Sequence, residues 1–368
     1  MTLTRFQWVL FLIAAAALPL QAAAPAGAPY AIARYAGTGQ PGYSGDAGPA
    51  GQAGLNNPYG LTIGPDGALY VCDMDNHAIR RVSRDGVIST VAGTGKRGYS
   101  GDGGPAAKAE LNEPYEIRFD PAGNMFFVEM KNHLVRRVNA ADGIISTVAG
   151  TGKEGFSGDG GPARLAAFRQ PHSIQFDSQG DLYICDIGNQ RIRKIEMKSG
   201  TIHTFAGNGG KGPINDGAAL GTVSLNGPRA IDFDRKGNLW LALREGNAIY
   251  EIDMAGKTIH HRAGTGQKGF TGNGGPAKSA LLSGPKGLSV GPDGNVYLAD
   301  TESHSIRMID VKSGQIELIA GTGERGSGPD GSARQCALSR PHGVFVDREG
   351  VVWIGDSESH VIRRARGP

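Results

Sequence analysis

The chain reads as short runs in which apolar and polar residues alternate, broken by glycine and turn-forming residues. Between positions 172 and 207 the runs "HSIQFD", "DLYICD", "QRIRKI" and "TIHTFAG" each follow a period of two. The breaks between them, "DSQGD", "DIGN" and "MKSG", are built from Gly, Asp, Asn, Ser and other turn-compatible residues. Period-two alternation sends neighbouring side chains to opposite faces of a strand, and such breaks supply tight reversals. The pattern predicts four antiparallel strands in this segment.

The same pattern recurs along the chain. An Ala-Gly pair begins at Ala36, Ala92, Ala149, Ala206, Ala263 and Ala320, a spacing of 56 or 57 residues. A proline follows each pair, at Pro58, Pro114, Pro171, Pro228, Pro285 and Pro341, and a closing phrase such as "YVCDMDNHAIRRV" or "FVEMKNHLVRRV" ends the unit. A lone four-stranded sheet cannot bury both its faces, whereas radial repetition can. The expected fold is therefore all-β: a six-bladed β-propeller of four-stranded antiparallel blades. The sixth unit stops at "HVIRRARGP", after a third strand, while "YAIARYAG" near the N-terminus looks like a fourth strand. The N-terminal strand should close the last blade.

One phrase invites a different reading. In "AGTGKRGYSGDGG", Gly93, Gly95 and Gly98 fit the G-x-G-x-x-G spacing of a dinucleotide-binding turn. That fingerprint requires a helix after the third glycine. Here more glycines and Pro105 follow, and the phrase recurs in all six units, so the glycines read as a repeated connector.

"NHAIRRV", "NHLVRRV" and the run from Pro58 to Asp73 resemble NHL repeats, and Asn132-His133-Leu134 spells the motif literally. The resemblance spans roughly residues 30 to 368 and points to a bacterial secreted NHL-repeat protein. It implies a six-bladed propeller and leaves function open. Members of that family include protein- and RNA-binding modules and extracellular sensor domains, and a peptidyl-hydroxyglycine amidating lyase has a related propeller.

Residues 1–28 combine one positive charge, Arg5, an apolar run too short for a comfortable membrane span, and a small-residue tail. They read as a signal peptide, with the propeller in 29–368. A secreted or periplasmic monomer without a stable membrane span is expected. A net charge of +3 and an aromatic content of 7% give neither the electrostatic footprint nor the stacking surface of a nucleic-acid binder. Cys72, Cys185 and Cys336 are odd in number and read as small buried residues.

Acids at Asp73, Glu129, Asp186, Asp300 and Asp356 each have an arginine seven residues on, at Arg80, Arg136, Arg193, Arg307 and Arg363. The fourth unit replaces both partners, with Leu243 and Tyr250. Joint loss is what a buried charge pair predicts, since either member alone would be costly. A two-residue turn, Asn76-His77 in the first unit, would set acid and arginine opposite each other. The turn histidines His77, His133, His304 and His360 read as turn residues on one face of the disc. Asp46, Asp102, Asp159, Asp216 and Asp330 read as stabilisers of the connector turns.

The residue after each proline breaks the repetition: Tyr59, Tyr115, His172, Arg229, Lys286 and His342. These six should converge on the axial mouth, joined by Glu116 and, one step inward, by Arg118, Gln175 and Asp232. Convergent polar groups in a concavity make a binding-site candidate; a solvated rim without a ligand is the plain alternative. The expected function is a ligand- or protein-binding module that uses this mouth and the connector loops. Arg229 and Lys286 favour an anionic partner such as a carboxylate, and no cofactor is required. The alternative is a metal-assisted lyase or lactonase-like hydrolase with a divalent metal, His172 and His342 opposite each other across the channel and bridged by Glu116, with Glu116 or a histidine as base and Tyr115 or Arg229 as electrostatic help. A protein–protein platform is a third reading.

Overall fold

The computed structural model describes residues 30–367, so the expected signal peptide lies outside the described residues. Six antiparallel sheets follow one another around an axis. The third shows the plan: Pro171–Phe176, Leu182–Asp186, Arg191–Glu196 and Thr201–Ala206 pair in sequence order from the axis outward. The last sheet orders Gly343–Val346, Val352–Asp356, Val361–Arg366 and then Ala31–Ala36. Ala31 sits opposite Arg366 and Ile32 opposite Ala365, so the N-terminal strand closes the sixth blade as expected. Among the described residues no helix is long and apolar enough to cross a membrane.

Apolar side chains fill the spaces between blades. An aromatic on the second strand of one blade meets an aromatic on the first strand of the next, edge to face: Tyr70 on Phe119, Phe126 on Phe176, Tyr183 on Phe233. Such pairs contribute about 1 kcal/mol beyond their area burial. The three cysteines are buried and unpaired in this packing.

Every acid–arginine pair forms, but with a different turn. Asp73 pairs across the sheet with Ala78, and Arg80 with Val71, so the reversal takes four residues, Met74 to His77, rather than two. A one-turn 3₁₀ helix, Met74–Asn76, and a left-handed His77 make it. The long arginine reaches diagonally to its acid instead of facing it. Separations are 3.1 Å for Arg80–Asp73, 2.7 Å for Arg136–Glu129 and 2.8 Å for Arg363–Asp356.

The connector completes this arrangement. Arg80 also binds the connector acid Asp46 at 2.9 Å, and Arg136 binds Asp102 at 2.8 Å. Tyr43 and Tyr99, from the same connectors, lie over the two guanidinium groups. Asp102 further accepts the Thr147 amide of the outermost strand. Asp46, Asp102, Asp159 and Asp330 thus act as second counter-ions to the blade arginines, fastening the crossing to its blade, whereas Asp216 accepts the His261 amide of its outermost strand. In the fourth blade, where Leu243 and Tyr250 stand, the apolar Ile214 of the connector packs into the same cluster.

The turn residues do more than shape a reversal. Nδ1 of His77 accepts the amide of Glu113, that of His133 accepts Gln170, and that of His304 accepts Arg340. Gln190 and Asn247 use their side-chain oxygens on Gly227 and Gly284. His360 closes the circle on Asn57. Six side chains therefore bond each blade to the residue before the next blade's proline.

Gly93 answers the question raised by the glycine-rich phrase. Its φ of +92° is one that L side chains rarely adopt, and a Cβ there would collide with the His77 carbonyl. The glycine lets the connector pass the staple-bearing turn at close range.

Candidate functional site

The turns at Met74–His77 and the connectors occupy the same face of the disc as the first residues of each inner strand. Pro58 is opposite Asp73, then the register slips before pairing resumes between Leu61 and Val71. The same slip follows Pro114, Pro171, Pro228 and Pro285. Such irregularities re-aim side chains, and here they deliver the residue after the proline to the axis.

The six predicted residues are brought together, but as a packed layer rather than a wet rim: their exposures run from 2% for Arg229 to 8% for Tyr115. Tyr59 stacks on His342 with ring centroids 4.0 Å apart and meets Tyr115 edge-on at 4.5 Å. Tyr115 in turn touches His172 at 4.4 Å. The Arg229 guanidinium sits over the Tyr115 ring at 4.5 Å, reaching past the third blade to do so. Nζ of Lys286 lies 3.2 Å from Nε2 of His342 and 2.8 Å from the Glu302 carboxylate.

The histidine tautomers follow from their partners. Nδ1 of His172 is 2.6 Å from the Gln170 carbonyl, and Nδ1 of His342 is 2.8 Å from the Arg340 carbonyl. A carbonyl only accepts, so both Nδ1 atoms carry hydrogen and, in the neutral rings, both Nε2 atoms are acceptors. Burial holds both imidazoles well below their ordinary pKa, and the charges of Arg229 and Lys286 act in the same direction. Burial also lowers Lys286 to about 8 against the opposing pull of Glu302. For Glu302 burial alone would raise the pKa, but its bonds to Arg340 and Lys286 prevail and bring it to about 2.

Glu302, Arg340 and Glu358 are site neighbours that the sequence reading missed. Arg340 bridges the two glutamates at 2.7 Å each, beside Lys286. The signal was present: the turns "TESH" and "SESH" carry an acid that the equivalent turns of the second and third blades do not.

Glu116 does not bridge the two histidines. Its carboxylate is bound to Arg118, and it lies against Gly60 of the first blade, where a side chain would leave no room. Burial raises its pKa, with Arg118 opposing. Gln175 donates to Asp232 at 2.6 Å, and Asp232 accepts the Val290 amide of the next blade at 2.8 Å. These inner polar groups join blades together. Among the described residues no three His, Cys, Asp or Glu side chains gather as metal ligands, so the residues of the ring do not supply the three-ligand set of a catalytic zinc site.

Arg229 stands apart. Among the described residues no carboxylate lies within ion-pair distance of it, and its Nε is enclosed without a hydrogen-bond partner.

Comparison with known proteins agrees with the fold. Residues 168–195 and 282–307 match the NHL repeat, and residues 36–100 match the teneurin NHL domain. The chain carries NHL repeats and folds as a six-bladed propeller. It is 30% identical over 275 residues to the Arabidopsis thaliana chloroplastic protein SUPPRESSOR OF QUENCHING 1, covering 72% of this chain and 26% of that protein. Human NHL repeat-containing protein 2 is 25% identical over 297 residues, covering 72% of this chain and 40% of that one. The propeller thus spans less than half the length of these curated relatives. A solved structure named as an auxiliary nutrient binding protein, from Bacteroides thetaiotaomicron, superposes with a TM-score of 0.67 at 18% identity. That match covers 92% of the present chain and 76% of the other, and at this identity it speaks to fold alone.

Proposed function

We propose that this NHL propeller is an exported ligand-binding module whose connector face takes an anionic group over the axial ring. One observation carries the reading: Arg229 is 2% exposed and no carboxylate bonds it directly among the described residues, the nearby Glu116 being bound to Arg118 and acting on Arg229 only through space. An unpaired buried charge is costly to hold. A ligand anion seated against the guanidinium would offset that cost. Lys286 adds positive charge to the same ring while remaining partly neutralised by Glu302. The name borne by the Bacteroides structure of like fold is in keeping with a binding role.

The test is a thermal-shift screen of small carboxylates and inorganic phosphate against the wild-type protein and Arg229→Gln. At a ligand concentration of 100 times Kd the native state gains about 2.7 kcal/mol, enough for a clear rise in Tm. An anion should stabilise the wild type and lose that effect in the variant. If none does, or if Arg229→Gln responds equally, the axial anion site is wrong. Export is checked separately by the mass of the mature protein, which should lack the first 22 to 28 residues.

A further inference from the structure

The ring offers a ligand more than positive charge. His172 is locked in the tautomer that makes Nε2 an acceptor, because Nδ1–H is donated to the Gln170 carbonyl at 2.6 Å. No hydrogen bond to that Nε2 is made among the described residues. The equivalent atom of His342 is already taken, by the Lys286 ammonium at 3.2 Å. So the ring holds one open acceptor, on His172, near a cation on the adjacent blade, Arg229, to which no carboxylate is directly bonded among the described residues.

An acceptor and a cation side by side suit a particular ligand. A carboxylate alone would place its oxygens against the Nε2 lone pair as well as against the guanidinium. A carboxylate with a hydroxyl on the next carbon resolves this, since the anion faces Arg229 while the hydroxyl donates to His172. An ammonium could donate too, but Arg229, Arg244 and Lys286 all set positive charge around His172. We propose that the axial site recognises 2-hydroxycarboxylates, with Arg229 binding the carboxylate and Nε2 of His172 accepting from the hydroxyl. The two charged groups differ in kind: the planar guanidinium forks onto a carboxylate, whereas Lys286 is committed to Glu302 and His342. Burial of both Arg229 and His172 limits the ligand's inner end to these two small groups, so specificity for the remainder must lie in the connectors.

This inference rests on the axial anion site proposed above, and calorimetric titration separates the two. The probes are lactate, as each enantiomer, with propanoate and alanine for comparison. The proteins are the wild type, Arg229→Gln and His172→Phe, the last keeping an aromatic ring against Tyr115; each variant's Tm is measured first to establish that it folds. One lactate enantiomer should bind about tenfold more tightly than propanoate, the weight of one hydrogen bond. Alanine should bind no better than propanoate. Arg229→Gln should abolish binding of both acids, and His172→Phe should erase only the preference for lactate. Equal affinity for lactate and propanoate, both lost in Arg229→Gln, overturns the hydroxyl recognition and leaves the anion site standing. A lactate preference that survives in His172→Phe likewise removes His172 from the role. Failure of every carboxylate to bind the wild type overturns both.

Discussion

His360 Nδ1 accepts the backbone amide of Asn57 at 3.1 Å, joining the last blade to the first across nearly the whole length of the chain. The five other turn residues make the same bond between sequential blades. An imidazole can accept at Nδ1 only while neutral, and this fixes how the seams respond to acid.

Burial lowers the pKa of His77, His133, His304 and His360 below the ordinary histidine value. For a group with a depressed folded pKa that charges on protonation, the unfolded chain binds more protons, so stability rises with pH. The staples are fully present above about pH 6.5 and weaken as pH falls below it. Around His133, Glu154 opposes the shift while Lys131 and Arg169 support it. His133→Gln, which copies Gln190 of the third blade, should keep the bond at every pH. We expect its Tm to equal the wild type's at pH 7.5 and to exceed it at pH 5.5. His133→Ala should cost about 1 kcal/mol at pH 7.5. Parallel pH profiles for wild type and His133→Gln would exclude the staple as the acid-sensitive element.

The buried pair of the third blade should be non-additive. Asp186 and Arg193 are both fully enclosed and 3.5 Å apart, with Asp159 as a second partner of the arginine at 2.7 Å. Asp186→Ala or Arg193→Ala alone leaves a charge in the interior and should cost about 3 kcal/mol or more. The double replacement Asp186→Leu with Arg193→Tyr copies Leu243 and Tyr250 of the fourth blade. It should cost at least about 1 kcal/mol less than the sum of the corresponding single changes, read from urea denaturation. Simple additivity would dissolve the pairing.

Gly93→Ala should destabilise by about 1–3 kcal/mol, since it combines a positive φ with a clash against the His77 carbonyl. Gly143→Ala is the control: its φ of +70° is also positive but nothing lies near its Cβ. The smaller loss should fall on Gly143, by chemical denaturation. The reverse order would mean that close approach does not govern the connector.

Lys286 should titrate near pH 8, far below an ordinary lysine. Because its folded pKa is depressed, the unfolded chain holds more protons there, and its contribution to stability grows as pH rises from about 8 towards the ordinary lysine value. NMR of ¹⁵N-labelled lysine should show this midpoint directly. Glu302→Gln removes a group that raises the pKa, so the midpoint should drop further. A midpoint near 10 in the wild type would show that the ammonium is well solvated.

Much of the fold was legible because the same constraint was written six times. Alternation, the repeated prolines and the joint loss of acid and arginine at Leu243 and Tyr250 each carried a physical reason that a single unit could not. Distances across the turn were not legible: a two-residue reversal and a four-residue one place acid and arginine within reach alike, and only the register of Asp73 against Ala78 tells them apart. The ring residues were found by their departure from the repeat, yet their burial was not foreseen. Sequence shows that Tyr59, Tyr115 and His342 are large and polar at the edge, but not that they stack on one another. Glu116 was mis-assigned although strand alternation already sets Arg118, two residues on, on the same face as its partner. The staples escaped notice since His, Gln and Asn share an acceptor, not a residue type.

The pairing of Ala31 with Arg366 also imposes an order of events. The strand that leads the propeller is made before its other strands, and its partner in the sheet, Val361–Arg366, is the last of them. Until then Ala31–Ala36 lacks its main partner and can meet only the short Gly331–Ser332 strand on its other edge, while the five complete blades can already form from local hairpins. Closure is therefore the most non-local step of folding, and the slowest contacts to form are expected at this seam. A circular permutant that joins the two ends by a short linker and opens at the exposed turn after Asp253 would turn that late encounter into a neighbouring hairpin. It should reach the same ring by a faster route.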